Sequence, residues 1–304
     1  MGAITDIVGF DKKKSVRARM GRPLAWFLLF VLVAITVLPF VWLMLSAFST
    51  NNALFSGRFD FTWLNFKRVL GFASEEEILF ASGRENTAEL DFLRALRNSV
   101  LIASSIAIGQ VFFSSMAAYA FARLKFKGRD KVFLFYLSGM MIPPIITLIP
   151  NVIFVRELGW GQSLLGIVAP FFLMTPFAVF FMRQFFLSVN RSIEEAAMID
   201  GAGAFRIFWS INLPMVKPQM ITLGVLTYVA AWNEFLWPFV LSGRFEEVQP
   251  LTVALSVFNV QTPGNRPDWS GMLAATTIAT LPILIIFAIF GKRIVDSIRF
   301  TGIK

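Results

Sequence analysis

The sequence predicts an all-α fold, a polytopic membrane protein with six transmembrane helices, and three observations predict it. Of 304 residues, 56% are apolar and only 15% charged, where a soluble domain carries about 25% charged residues. The apolar residues gather into six continuous runs, each near the roughly 20 residues that cross ~30 Å of hydrocarbon as a helix. The aromatics are 35 Phe against three Tyr, a choice of apolar bulk over hydrogen bonding. In lipid only a helix or a closed barrel satisfies its own backbone, and continuous runs rather than strand-like alternation select helices.

The elements follow in order. A basic segment, residues 1–23, precedes the first span at 24–46. That run is too long for a cleaved signal and lacks a small-residue cleavage site after it, so it is expected to be retained. An external loop, 47–98, holds an acidic stretch at 71–92 that has the look of an insertion. The second span, 99–121, is rich in Ser, Ala and Gly, which lets helices pack closely. The third (132–155) contains Pro143, Pro144 and Pro150, and the fourth (163–185) contains Pro170 and Pro176. Loop 186–217 leads to the fifth span (218–241, with Pro238), and loop 242–271 to the sixth (272–291, with Pro282). A tail, 292–304, closes the chain. Prolines inside spans kink helices and free carbonyls, which packing in a bundle or flexing around a pathway both accommodate.

Charge fixes the sidedness. Nineteen of the 28 Lys and Arg fall in the N-terminal segment, the second-to-third and fourth-to-fifth connections and the tail. The positive-inside rule then places both termini and those connections in the cytoplasm. The net charge of +9 is therefore a topology signal, and no nucleic-acid partner is expected. Cys and His are both absent, which excludes disulfide scaffolds, thiolate metal sites and the Ser-His-Asp triad. No metal site, no catalytic residue and no enzymatic activity are expected.

Glu234 is the one carboxylate inside a predicted span, and such a charge costs roughly 2.5–3.5 kcal/mol at mid-membrane. It stands beside Trp232, Asn233 and Trp237, with Tyr228 one turn earlier. Aromatic faces with amide and carboxylate neighbours suit a hydroxylated ring as substrate. An aromatic belt at the outer headgroups accounts for the same residues, and the two readings stand side by side.

Residues 190–214 carry the most specific signal. Ser192 and Glu195 have capping-box spacing, so a short helix is expected after Ser192. Ala196 and Ala197 give it a small, flat face, Gly201 suits a left-handed end, and Gly203 permits another bend. Glu195-Ala196-Ala197, then Gly201, Ile211 and Leu213-Pro214, reproduces the spacing of the EAA signature. In this the chain resembles the membrane subunits of ABC importers. Residues 96–103 (LRNSVLIA), 232–238 (WNEFLWP), 250–255 (PLTVAL) and the end of the chain from Met272 resemble the carbohydrate branch, in particular the smaller permease of the maltose type.

The resemblance implies a type I importer fold in a bacterial or archaeal cytoplasmic membrane. It implies a coupling helix with Glu194, Glu195, Ala196, Ala197, Asp200, Gly201, Ala202, Gly203, Leu213 and Pro214 at the contact with an ATP-binding cassette ATPase dimer. Glu195 would pair there with a basic residue, or else simply cap its own helix. A second homologous permease, a solute-binding protein and a carbohydrate are the other implied partners. Gln261, Thr262, Pro263, Gly264, Asn265 and Arg266 fall where the family's external loop reaches the binding protein, and residues 299–304 where its tail touches the ATPase. An ordinary loop and a frayed end are the plain alternatives. No GxxxxGK[ST] occurs here, so ATP and Mg are expected on the partner ATPase and no cofactor on this chain. A secondary transporter would need more intramembrane ionisable groups than Glu234. A membrane enzyme lacks paired catalytic groups, and a passive anchor leaves the EAA spacing unexplained.

Overall fold

The computed structural model describes the backbone of residues 5–82, 90–243, 245–260 and 267–299, and within these the side chains except 5–22, 257–260 and 293–299. The expected binding-protein loop, Gln261–Arg266, and residues 300–304 of the tail lie outside the described residues. In chain order the helices are α1 (Thr5–Ala47), α2 (Asn51–Phe55), α3 (Leu64–Val69), α4 (Glu75–Ser82), α5 (Phe92–Arg123), α6 (Arg129–Ser138), α7 (Pro144–Glu157) and α8 (Leu164–Phe172). There follow α9 (Pro176–Ser188), α10 (Arg191–Ile199), α11 (Ala204–Ile207), α12 (Leu213–Met215), α13 (Lys217–Trp232), α14 (Leu236–Ser242), α15 (Leu251–Val260) and α16 (Trp269–Arg299).

Among the described residues three unbroken helices are long and apolar enough to span: Pro23–Ala47 of α1, Phe92–Arg123 and Trp269–Lys292. The expected second span starts seven residues earlier than the apolar run, because Asp91 caps α5 by accepting the Arg94 N–H at 2.9 Å. The expected third span is two helices, α6 and α7, bent by 96°. Pro143 holds the preceding Ile142 in extended backbone, and Pro144, without an N–H, opens the new helix at its first position. The fourth is α8 and α9, bent by 41°, with the Thr175 hydroxyl accepting from Ala178 N–H and Pro176 at the helix start. Prolines 143, 144 and 176 thus begin helices rather than kink them. The expected fifth span is also divided, into α13 and α14, at Asn233–Phe235.

α5 is the centre of the body and packs on α8, α9 and α13, whereas α1 stands apart and leans on α16. The small residues of α5 serve these contacts: Ala118 and Ala122 are buried against Met182, Phe186 and Leu223. A Cβ at Gly109 would overlap the Phe172 carbonyl and ring, so only glycine allows α8 to cross there. A second cluster, at the other end of α5, joins Phe92 and Ala95 to Trp232, Ala254, Ala274 and Ala275.

Candidate functional site

Asn190, not Ser192, caps the EAA helix: its side-chain oxygen accepts the Ser192 N–H at 3.1 Å and α10 begins at Arg191. Ser192 already lies inside the first turn, so the capping-box reading fails. The two alanines do not share a face either. Ala197 is buried, while Ala196 is exposed together with Glu195, Met198 and Ile199, the last 87% exposed. The helix ends in a Schellman turn, with Ala202 N–H on Ala197 O (2.9 Å) and Gly201 N–H on Met198 O (3.0 Å). Gly201 holds φ at +82° to close it, and Asp200, exposed, is the last residue before it. Gly203, at φ −72° and ψ 162°, is in backbone that any residue adopts.

Between α11 and α12 the chain makes a π-helical turn at Phe208–Asn212. Asn212 is fully buried and its amide reaches back to Ile207 O at 3.4 Å. Pro214 follows, exposed, and Leu213 packs partly on the core. Such turns accommodate an extra residue in a helix, and this one runs into the start of the Ile211-x-Leu213-Pro214 part of the signature.

Glu194 is the buried carboxylate of this segment. It meets Arg123 at the end of α5, Nε to Oε1 3.0 Å, with side chains 3% and 7% exposed. The same guanidinium donates to the carbonyls of Phe186 and Val189 at the end of α9, where a helix leaves carbonyls unpaired. Arg123 was legible only as one of many sidedness charges, and no local pattern marks it as Glu194's partner.

Glu234 and Trp237 line a cavity of about 310 Å³ between α5, α8, α13 and α14, where Gln110, Thr175 and Thr227 add polar groups to apolar walls. The Glu234 carboxylate accepts the Trp237 N–H at 3.2 Å, and its carbonyl accepts from Thr252 at 2.8 Å. Trp237 donates its indole N–H to Ile167 O and meets Phe171 edge-on at 5.9 Å. The other candidates point elsewhere. Trp232 is buried towards α16, and Tyr228 stacks on it at 5.8 Å and faces a separate groove with Ile108 and Phe112. Asn233 is exposed and bonds back to Val229 O at 2.8 Å. The five residues therefore do not form one platform.

At the far end of α5, Asn98 donates to the carbonyls of Glu247 (2.8 Å) and Gln249 (3.1 Å), and the Ser99 hydroxyl accepts the Leu251 N–H at 2.7 Å. Asn98-Ser99 and Leu251, which belong to two stretches far apart in sequence, thus meet. Nearby, Arg68 and Asp268 form a buried ion pair at 2.9 Å. Asp268 also accepts from Ser270 and from Gly271 N–H at the start of α16.

Residues 110–300 match the family described as binding-protein-dependent transport system inner membrane component. The chain belongs to this family. The permease is 28% identical, over 94% of its own length and 89% of the relative's, to a probable ABC transporter permease protein, YurM, of Bacillus subtilis. It is likewise 28% identical, over 90% and 94%, to the trehalose/maltose transport system permease protein MalG of Thermococcus litoralis. The arabinooligosaccharides transport system permease protein AraQ of Bacillus subtilis is 33% identical over 68% of this chain and 72% of that one. In fold it matches a solved bacterial ABC transporter involved in alginate import, with TM-score 0.76 and 23% identity over 90% of this chain and 96% of that chain. The permease is a multi-pass transport subunit and not an enzyme.

Proposed function

We propose that this permease is half of the translocation pathway of an ATP-driven carbohydrate importer, moved by an ATPase that seats on α10. The single observation that supports this is the state of the EAA helix. One face is fixed by the buried Glu194–Arg123 pair, and the other leaves Glu195, Ala196 and Ile199 exposed, with Met198 exposed at its edge. A helix so clamped moves only with the body behind it, and an apolar patch rimmed by charge is a docking surface for another protein. ATP and Mg belong to the partner ATPase dimer, and a second homologous permease completes the pathway.

The carbohydrate assignment takes its support from the relatives' names and from the cavity at Glu234, where aromatic walls meet a few polar groups. In this reading the outer loops receive sugar from a solute-binding protein, and the break at Asn233–Phe235 lets α13 and α14 tilt independently as the pathway opens. Nucleotide binding shifts the balance of inward and outward states only through its different affinity for the two. Both termini lie in the cytoplasm, as the basic residues direct.

Purification in mild detergent tests the reading. The permease brings down an ATPase subunit, and Ile199→Asp, which sets a charge on the exposed face, removes it at least tenfold. The reconstituted complex, assayed for ATP hydrolysis with maltose, maltopentaose and glycerol 3-phosphate, each with its binding protein, identifies the substrate class. Undiminished ATPase recovery with Ile199→Asp would overturn the docking face.

A further inference from the structure

We propose that α5 is a connecting rod, fastened to the EAA helix by Arg123 and to the 247–251 segment by Asn98 and Ser99, so that motion at one end is delivered to the other. The inference rests on the function proposed above and adds how movement crosses the membrane. The rod is a single helix of 32 residues, about 48 Å at 1.5 Å per residue. Arg123 gathers three segments in a dry place: its own helix, the last carbonyls of α9, and Glu194 of α10. The face of α10 opposite Glu194 is the exposed one, so a push on that face reaches the body through Glu194 and its buried neighbour Ala197. Little slack exists along the rod, because α8 crosses it at Gly109 without room for a methyl group.

At the other end Asn98 is fully buried and donates twice to loop carbonyls, while Ser99 takes the Leu251 N–H. Segment 247–251 opens directly into α15. Two polar fastenings thus sit at opposite ends of one uninterrupted helix, each binding a segment from elsewhere in the chain. Arg123, Glu194, Asn98 and Ser99 are positioning residues in this scheme.

The chain has no cysteine, so Glu246→Cys, at an exposed position, accepts a bimane label at a single site on this subunit. The labelled permease is studied in its complete complex, with MgATP and vanadate as the probe and a complex lacking the introduced cysteine as background. Trapped nucleotide is counted for every sample. The expected result is a shift in bimane emission on trapping, cut at least threefold by Asn98→Ala and by Glu194→Gln. Combined, the two substitutions reduce it no further than the stronger one alone, since both interrupt one path. Absence of the shift, its survival in Asn98→Ala, a multiplicative double variant, or a parallel fall of trapped nucleotide in Asn98→Ala each overturns the rod. If Glu194→Gln does not accumulate, Ser99→Ala, which removes the acceptor of the Leu251 N–H at the other end of α5, decides: a shift cut at least threefold with normal trapping supports the rod, and an undiminished shift overturns it. Failure of the unaltered permease to co-purify with an ATPase defeats instead the function on which the rod rests.

Discussion

Gly201 and Gly109 are required for opposite reasons, and substitution separates them. At Gly201 a Cβ would meet nothing within 4 Å, so the demand is purely the φ of +82°. An L residue there costs about 1–2 kcal/mol, and Asn less than Ala. Gly201→Ala therefore lowers the midpoint of ATPase association in a detergent titration, with Gly201→Asn intermediate. At Gly109 the backbone is ordinary helix and the demand is space, since a Cβ would overlap Phe172. Gly109→Ala costs about 1–3 kcal/mol by overpacking and lowers the melting temperature of the purified complex. Gly224 is the control: its Cβ would lie 3.5 Å from a Val111 methyl, an ordinary contact. Gly224→Ala gains helix propensity of about 0.5–1 kcal/mol and leaves the melting temperature equal or higher.

Loop 247–251 depends on α5 for its order as an element. Ser99→Ala deprives the buried Leu251 N–H of its acceptor, at a cost of about 1–3 kcal/mol. Amide exchange at Leu251 is then expected to quicken roughly tenfold, since ~1.4 kcal/mol corresponds to tenfold in an opening equilibrium, while the middle of α5 exchanges as before. Which elements were legible follows the same physics. Apolar length alone marked α1, α5 and α16, because lipid demands it. Pro143, Pro144 and Pro176 marked two bends, although proline alone does not say whether a helix kinks or starts again. The break at Asn233–Phe235 carried no such mark: the Asn233 amide turning back to Val229 and the Glu234 carboxylate taking the Trp237 N–H are bonds the residues make only once the break exists. In the EAA segment the spacing was legible, but Glu194's burial was not. It depends on Arg123, which belongs to another helix and reads in sequence as one more cytoplasmic charge.

The whole molecule carries a buried ion pair at each end of its central rod, Arg123–Glu194 at one and Arg68–Asp268 at the other. Such pairs are poor sources of net stability, because desolvation offsets attraction, yet removing one partner costs about 3–5 kcal/mol by stranding a charge. At the second of these ends the two roles of Asp268 can be separated. It holds Arg68, and it also caps α16 through the Ser270 hydroxyl and the Gly271 N–H. Arg68→Met leaves the carboxylate stranded, and the complex unfolds at a lower temperature. Adding Asp268→Asn removes the stranded charge while keeping a capping oxygen, as asparagine caps about as well as aspartate. The double variant is therefore expected to recover most of the lost melting temperature, whereas Arg68→Met with Asp268→Leu, which gives up the cap, recovers less by the ~0.5–2 kcal/mol that a cap contributes. Both pairs are shielded from solvent, so raising salt from 50 to 500 mM leaves the Arg68→Met effect unchanged. Equal melting temperatures for the Asn and Leu doubles would mean that Asp268 serves only to neutralise Arg68, and that the start of α16 is held by packing alone.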